Sequence, residues 1–183
     1  MTGTLSTVIP YTSSFNNDQK IQLQLGLEDG LNVGQFADAR FTSNQMEELR
    51  RGVTSKVNIK IYYDPEYDWQ QMREIRSGLE SEVNVCVYAN KKFNWKQMKE
   101  IRLGLINNLD VSVYAHKKFN SDQMFEIRLG LQRGIDVSIY TNNKFNWKQM
   151  EVIRSGLEND KDVSIFAIPE IGSDEMLSIL NCL

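Results

Sequence analysis

The segment from Phe93 to Leu105, which reads FNWKQMKEIRLGL, decides the fold because it recurs along the chain every 26 residues. The other copies begin at Phe15, Phe41, Tyr67, Phe119, Phe145 and, in truncated form, Ile171. A fixed period in this range indicates a tandem repeat protein, in which neighbouring units share one core. We number each copy from its aromatic residue, which is position 1 of 26.

Composition and charge place the chain among ordinary soluble proteins. It has 183 residues, of which 41% are hydrophobic and 25% are charged, and its formal net charge is -3. A charge this small gives no bulk attraction to a polyanion. No apolar run approaches the roughly 18 residues that a membrane span needs, and no secretory signal is evident. Cys86 and Cys182 lack metal-ligand spacing, so we expect reduced thiols, a cytoplasmic location and no membrane partner.

Each copy opens with the signals of a helix N-terminus. Position 2 is Asn, Thr or Asp and position 5 is Gln in the six full copies, which predicts a capping box. In the second to sixth copies, the aromatic residue at position 1 and Met at position 6 are expected to form a hydrophobic staple. We expect a helix of about 11 residues that buries positions 6, 9 and 13. Because a glycine inside a helix costs about 1 kcal/mol, Gly at position 12 is expected to admit Arg or Trp from the next helix.

Positions 17 to 22 alternate between apolar and polar residues, as in Leu109 to Tyr114. A period of two favours a β-strand, and repeated helix-strand units predict a parallel sheet. Parallel strands lie about 4.8 Å apart whereas helices need about 8–10 Å, so the array should curve. The predicted fold is a curved α/β solenoid with the sheet on the concave side and the helices on the convex side. One domain is expected over 1–183, with a cap strand at 1–14, six repeats at 15–170 and a cap helix at 171–183.

The repeat resembles those of a known group of proteins. The pattern Phe-x-x-x-Gln-Met-x-x-Ile-Arg-x-Gly-Leu is similar to the 26-residue repeats of uncharacterised bacterial and mobile-element proteins. That resemblance implies a phage or mobile-element context and brings no catalytic residues or substrate. The predicted architecture is similar to the horseshoe of leucine-rich repeat proteins, although the Leu-x-x-Leu-x-Leu-x-x-Asn pattern of that family is absent.

No group of residues predicts catalysis. The only histidine, His116, stands in a turn where other copies have Asn90 and Asn142, and nothing nearby in the sequence would orient it. Cys86 replaces a Ser at an outward position of a predicted strand, which favours a spare thiol over a nucleophile. There is no phosphate-binding loop and no metal-ligand cluster. We therefore expect a protein that is not an enzyme and has no cofactor or metal.

The predicted concave face contains a column of polar residues. Position 18 changes from Asn in the first three copies to Asp in the next three. Closely spaced carboxylates would repel one another and gain proton affinity, unless each is bonded to a turn amide or to an Arg. Ser and Tyr beside them are good recognition residues, although Tyr could instead cover the sheet edge. The predicted concave-face binding residues are Asp110, Asp136, Asp162, Ser112, Ser138, Tyr88, Tyr114 and Tyr140.

A basic and aromatic rim is predicted where the helices begin. Helix N-termini attract anions, so this rim is a candidate for anion or nucleic-acid binding. The alternative is a solvated charged rim whose Trp residues fold over the neighbouring helix. The acidic overall balance argues against strong non-specific binding to nucleic acid. The rim residues are Lys91, Lys92, Trp95, Lys117, Lys118, Lys144 and Trp147.

The predicted convex side carries apolar residues at positions that should be exposed. They are Leu103, Ile106, Phe125 and Leu129. A clustered apolar patch usually marks an interface, here with a partner or with a second copy of the chain, and the alternative is scattered surface apolar residues.

Together these patterns predict a non-enzymatic scaffold that binds a protein through the concave face or the convex patch. An inhibitor of a host defence protein is a concrete form of this prediction. Nucleic-acid binding through the rim is the alternative.

Overall fold

The computed structural model describes residues 12–183, and regular structure in that range is entirely helical. Its α-helices are α1 (Asn17–Glu28), α2 (Ser43–Thr54), α3 (Trp69–Glu80), α4 (Trp95–Ile106), α5 (Ser121–Gln132), α6 (Trp147–Glu158) and α7 (Ser173–Asn181). Short 3₁₀ turns alternate with them, at Thr12–Ser14, Val33–Gln35, Ile59–Ile61, Val85–Val87, Val111–Val113, Val137–Ile139 and Val163–Ile165. None of the described helices combines the length and apolar character needed to cross a bilayer.

The chain divides into two compact units, Met1–Lys91 and Lys92–Leu183, and each is described by itself. Unit 1 contains α1 to α3 and unit 2 contains α4 to α7. The predicted cap strand falls mostly in residues 1–11, which lie outside the described range, and Thr12–Ser14 is a 3₁₀ turn. The predicted cap helix is present as α7. The single domain over 1–183 stays a prediction.

The predicted helix starts are confirmed in all six full copies. In α4, the side chain of Asn94 accepts a hydrogen bond from the backbone N–H of Gln97, and the side chain of Gln97 accepts one from the backbone N–H of Asn94. The same capping box begins α1, α2, α3, α5 and α6. In α7 the cap position is Gly172, which has no side chain to offer. The helices are 12 residues long apart from α7, which has nine.

The prediction of a parallel β-sheet is wrong, because each expected strand is a 3₁₀ turn. The carboxylate of Asp110 accepts a hydrogen bond of 3.0 Å from the backbone N–H of Ser112, which bends the chain at the point where a strand would begin. Val111 and Tyr114 are then buried while Val113 is only half-buried. A spacing of three matches the 3₁₀ helix, in which residues i and i+3 share a face. Because residues 12–183 contain no strand, the α/β solenoid and the leucine-rich-repeat-like sheet are excluded for that range. The curvature expected from the different spacings of strands and helices has no basis without a sheet.

The glycine at position 12 makes room for a tyrosine of its own repeat. A Cβ atom on Gly104 would lie 1.9 Å from the hydroxyl oxygen of Tyr114. That hydroxyl donates to the backbone carbonyl of Glu100 at 3.0 Å, and the ring is fully buried. The expectation that Arg or Trp of the next helix would fill this space is therefore wrong. Where the aromatic residue is phenylalanine, as at Phe36 and Phe166, the ring is buried without a hydroxyl.

Glutamine at position 5 links neighbouring repeats within each unit. In unit 2, the side-chain amide of Gln97 donates to the backbone carbonyl of Phe119 at 2.6 Å, and Gln123 does the same to Phe145. In unit 1, the amides of Gln19 and Gln45 reach the carbonyls of the equivalent residues. The glutamine therefore caps its own helix and also fixes the distance to the following repeat.

Three arginines at position 10 each form a buried ion pair with the glutamate at position 8 of the preceding repeat. Arg76 Nε lies 2.8 Å from Glu48 in unit 1, and Arg128 Nε lies 2.8 Å from Glu100 in unit 2. Arg154 Nε lies 2.7 Å from Glu126. Burial raises the pKa of the Glu126 carboxyl, although pairing with Arg154 opposes the rise. The same contact therefore aligns α2 with α3 in unit 1, and α4 with α5 and α5 with α6 in unit 2.

Candidate functional site

The residues that recur in every repeat are engaged in capping or packing, so candidate functional residues are those that differ between copies. The clearest departure is Phe125 on α5, which is 40% exposed. Its position 7 holds Lys99 in the preceding copy and Glu151 in the following one. An aromatic side chain at a solvated position costs free energy unless something covers it, so this surface of unit 2 is a candidate binding site.

Two grooves flank Phe125, one on each side of α5. The groove toward α4 has a volume of about 190 Å³ and is lined by Trp95, Lys96, Lys99, Glu100, Ser121, Asp122 and Phe125. The groove toward α6 has a volume of about 350 Å³ and is lined by Asp122, Phe125, Glu126, Trp147 and Glu151. Phe125 therefore lies between Trp95 and Trp147. We call these three residues the aromatic row.

Cations already lie close to the rings of the aromatic row. The guanidinium carbon of Arg128 is 5.4 Å from the centre of the Phe125 ring. Lys96 and Lys148 place their ammonium groups 5.7 Å from the rings of Trp95 and Trp147. These distances fall in the range of cation–π attraction. The rings thus combine an apolar surface with a face that attracts positive charge.

The structure joins part of two surfaces that the sequence analysis kept apart. Trp95 and Trp147 were assigned to a basic rim, and Phe125 to the convex patch, yet Phe125 shares one groove with Trp95 and the other with Trp147. The sequence already indicates this neighbourhood, because positions 3 and 7 lie one helical turn apart on the same face of a helix. The sequence analysis did not link them because the tryptophans and the phenylalanine belong to different copies of the repeat.

The remaining residues of the predicted convex patch differ in exposure. Ile106, at the end of α4, is 41% exposed. Leu103 and Leu129 are half-buried, so much of their apolar surface already lies against the protein. Leu129 follows Phe125 by four residues on α5, which places it one turn further along the same face. Phe125 and Ile106 are therefore the two exposed members of the predicted patch.

The lysines of the predicted rim have different surroundings in the two units. Lys91 in unit 1 forms ion pairs with Asp64, at 2.6 Å, and with Glu66. Hydrogen bonding to Asp64 raises the pKa of the Lys91 ammonium. In unit 2 Lys92, Lys117, Lys118 and Lys144 are exposed. Lys118 also lies 4.8 Å from the ring centre of Phe119.

The predicted concave-face residues are not brought together as one surface. Tyr88, Tyr114 and Tyr140 are fully buried, so they are unavailable to a partner. Their hydroxyl groups donate to backbone carbonyls of the preceding helix, and burial raises the pKa of Tyr114 and Tyr140. The prediction that these tyrosines recognise a partner in the folded protein is therefore wrong.

The aspartates of the same predicted face are exposed but serve the 3₁₀ turns. Asp110, Asp136 and Asp162 each accept a hydrogen bond from the backbone N–H two residues later. Hydrogen bonding by Ser138 lowers the pKa of Asp136, and hydrogen bonding by Ser164 lowers that of Asp162. This direction is opposite to the gain in proton affinity expected from mutual repulsion. The turn-amide alternative explains these carboxylates, as it explains Asn58.

Aliphatic side chains at position 21 are exposed next to these aspartates, although the sequence pattern predicted that they would be buried. Ile139 is 40% exposed and Ile165 is 51% exposed. They were assigned to the sheet core because of the period-two reading, whereas in a 3₁₀ turn position 21 points away from buried positions 19 and 22. With Ser112 and Ser138 also exposed, the turn side of unit 2 is a second surface that mixes apolar and polar groups.

Other cavities have less distinctive chemistry. One of about 450 Å³ lies at the C-terminal ends of α5 and α6, where Arg133 and Glu158 form an ion pair across it. In unit 1, a cavity of about 360 Å³ is lined by Gln35, Ile59, Lys60 and Tyr63. The Tyr63 ring packs edge-on against Phe41, with ring centres 4.8 Å apart.

Metal-binding and nucleophilic residues are not clustered in the described part of the chain. Within residues 12–183, no group of three or more His, Cys, Asp or Glu side chains could hold a metal ion. His116 is exposed in its turn. Cys86 and Cys182 are both exposed and free.

Comparison of the chain with protein families, with curated proteins and with solved structures gave no match.

Proposed function

We propose that this chain is a non-enzymatic scaffold that binds a protein partner through the aromatic row of unit 2. The observation that supports the proposal is the placement of Phe125, which is 40% exposed between two tryptophan-lined grooves. Aromatic residues in partly closed grooves are the residue type that dominates the energy of protein interfaces. The recurring residues meanwhile build a framework of capping boxes, glutamine bridges and buried ion pairs.

The framework suits this role because it holds the aromatic row on helices rather than on loops. Trp95, Phe125 and Trp147 lie on α4, α5 and α6, which pack side by side within unit 2. Their positions are set by the glutamine bridges and by the Arg–Glu pairs of neighbouring helices. A rigid surface loses less conformational entropy on binding, so more of the contact energy appears as affinity.

Affinity capture from the cells that naturally express the chain tests the proposal. The variant combines Phe125→Ser with Trp147→Ser, and the matched control is Ile21→Ser, which changes an exposed apolar residue at position 7 of α1. We expect a specific protein to be retained by the wild type and by the control, and to be lost from the double variant. Equal capture by the double variant would remove the aromatic row as the binding surface. Far-ultraviolet circular dichroism verifies that the variants keep their helices.

A second copy of the chain is the other protein that this surface could bind. Sedimentation velocity distinguishes the two cases, because self-association through the aromatic row would raise the sedimentation coefficient with concentration. Phe125→Ser would then abolish the increase. We expect the wild type and Phe125→Ser to sediment alike as single chains, since the proposed partner is a different protein.

Nucleic-acid binding is the second candidate, and the exposed lysines of unit 2 favour it. Lys117, Lys118 and Lys144 lie in the turns before α5 and α6. Contacts between lysine and phosphate make binding fall steeply with salt concentration. A salt titration of RNA and DNA binding, with Lys117, Lys118 and Lys144 changed to Ala, decides the matter. Absence of salt-sensitive binding near physiological ionic strength would exclude this candidate.

The cellular setting of the proposed scaffold is the cytoplasm. Two exposed free thiols, Cys86 and Cys182, support this placement because disulfides are the rule in oxidising compartments. A host defence protein is the partner class that the resemblance to mobile-element repeats suggests. Mass spectrometry of the captured protein tests that suggestion together with the main proposal.

A further inference from the structure

We propose that the groove between α5 and α6 recognises an arginine side chain of the protein partner. The inference rests on the proposed function for its partner, and it adds the chemistry that this part of the surface selects. The groove is about 350 Å³ in volume, with Phe125 and Trp147 as its aromatic walls and Asp122, Glu126 and Glu151 as its carboxylates.

Two of the three carboxylates are available to an incoming cation. Glu126 is buried and paired with Arg154 at 2.7 Å, so its charge is already balanced. Asp122 and Glu151 are exposed, and neither forms an ion pair with any residue in the described range 12–183. The hydroxyl of Ser121 lies 3.5 Å from the Asp122 carboxylate, which leaves most of its accepting capacity open. The groove therefore presents two negative charges beside two aromatic rings.

The two grooves beside Phe125 differ in charge. The groove toward α4 is lined by two lysines and two carboxylates, so its charges balance, whereas the groove toward α6 is lined by three carboxylates and by no lysine or arginine. A cationic side chain would therefore be attracted more strongly to the groove toward α6. Complementary charge of this kind fixes the orientation of a partner and excludes the wrong ones.

Arginine fits the groove toward α6 better than lysine does. Its planar guanidinium stacks on aromatic rings and binds carboxylates through several donors at once, whereas the lysine ammonium is a compact and strongly hydrated charge. The protein itself provides an internal example, because the Arg128 guanidinium lies 5.4 Å from the centre of the Phe125 ring. Lys148, which lies 5.7 Å from the Trp147 ring, would compete with the incoming cation.

Titration with N-acetyl-L-arginine amide, followed by the indole N–H resonance of Trp147, tests the inference. The neutral citrulline derivative has nearly the same shape and is the matched ligand control. Trp69→Phe and Trp95→Phe variants assign the Trp147 signal among the three tryptophans. We expect a saturable shift with the arginine derivative and none with citrulline. No saturable shift, or an equal shift with citrulline, would overturn the inference.

Substitutions separate the groove from acidic attraction in general. Asp122→Asn with Glu151→Gln should raise the Kd of the arginine derivative by about threefold or more, as for loss of two exposed charge pairs. Asp136→Asn with Asp162→Asn, on the turn side, should leave the Kd unchanged. Lys148→Gln should lower the Kd by removing the competing ammonium. Equal effects of the two acidic double variants would contradict the assignment.

Failure of this inference is distinguishable from failure of the proposed function. If Phe125→Ser with Trp147→Ser abolishes partner capture but the titration shows no arginine binding, the scaffold stands and the arginine assignment is wrong. If the groove binds the arginine derivative but capture does not depend on the aromatic row, the proposed function is wrong and the groove keeps its assignment.

Discussion

The hydroxyl group of Tyr114 donates to the backbone carbonyl of Glu100 at 3.0 Å, and in doing so it occupies the space where residue 104 would carry a Cβ atom. Gly104 and Tyr114 therefore form a complementary pair, in which the missing side chain of one makes room for the hydroxyl of the other. The same pair recurs as Gly52 with Tyr62, Gly78 with Tyr88 and Gly130 with Tyr140. In these four repeats the pair fastens the 3₁₀ turn to the helix before it.

Gly104→Ala should lower the free energy of unfolding by roughly 2 kcal/mol, because overpacking outweighs the gain of about 1 kcal/mol in helix propensity. The Cβ would lie 1.9 Å from the Tyr114 hydroxyl oxygen and 2.8 Å from a methyl group of Val111. Urea unfolding measures the change.

Gly156→Ala is the matched control, since its Cβ would lie 2.6 Å from Val163, 3.3 Å from Leu180 and 3.5 Å from Phe166 but would meet no hydroxyl. We expect a smaller loss of stability there than at position 104, because both sites share the valine clash and only position 104 adds the tyrosine clash. Adding Tyr114→Phe to Gly104→Ala should recover part of the loss. Equal losses at positions 104 and 156 would contradict the role assigned to the tyrosine hydroxyl.

The helices could be predicted from the sequence and the 3₁₀ turns could not, for a physical reason visible in Leu109 to Tyr114. Capping signals are local, so Asn94 and Gln97 identify a helix start without knowledge of the fold. In the turn, apolar residues at positions 17, 19 and 21 match a strand, yet the buried pair is Val111 and Tyr114, three residues apart. The hydrogen bond from the backbone N–H of Ser112 to the Asp110 carboxylate selects the 3₁₀ turn. The alternation of apolar and polar residues does not reveal that bond.

Arg76→Met should lower the free energy of unfolding by roughly 3 kcal/mol, since it leaves the carboxylate of Glu48 buried and unpaired. The Nε atom of Arg76 lies 2.8 Å from Glu48, and both side chains are almost entirely buried. Replacing both residues, with Glu48→Leu and Arg76→Met, should restore most of the stability because no charge remains buried. If the double variant is no more stable than Arg76→Met, the loss is one of packing rather than of charge.

The pH dependence of Arg154→Met, which removes the partner of Glu126, provides an independent check. Burial raises the pKa of the Glu126 carboxyl and Arg154 opposes the rise, so the pKa in the folded variant should lie further above its unfolded value. The folded state then binds the proton more tightly, so the stability of the variant should rise as the pH falls toward the raised pKa. The difference in free energy of unfolding between the variant and the wild type should therefore decrease in mildly acidic buffer. Thermal unfolding at several pH values measures it, and a difference independent of pH would argue against a buried unpaired carboxylate.

Lys56→Gly should stabilise unit 1 by about 0.5–1 kcal/mol, because residue 56 has a positive φ of 58° at the end of α2. The equivalent residue in unit 2 is Gly134, with a φ of 73°. Gly134→Ala is the converse control and should destabilise by a similar amount. Differential scanning calorimetry of both variants decides this, and a lower transition temperature for Lys56→Gly would contradict the assignment of strain.

Only part of the candidate site could be predicted, because exposure depends on packing that a single copy does not reveal. Phe125 was identified from its position on the helix, and its exposure agrees with that. Tyr114 and Tyr140 were assigned to binding and are buried, since the turn directs them into the core. The groove toward α6 needs residues from two helices, and its acidic lining became visible only when Asp122 and Glu151 were placed beside Trp147.

Site-specific photocrosslinking tests the proposed aromatic interface most directly. A p-benzoylphenylalanine residue replaces Phe125 in the cells that naturally express the chain, and the matched control replaces Ile21, which is exposed at the same repeat position of α1. We predict that irradiation links position 125 to one specific protein and links position 21 to none. Absence of an adduct at position 125, or the same adducts from both positions, would contradict the proposal that this surface binds a protein partner.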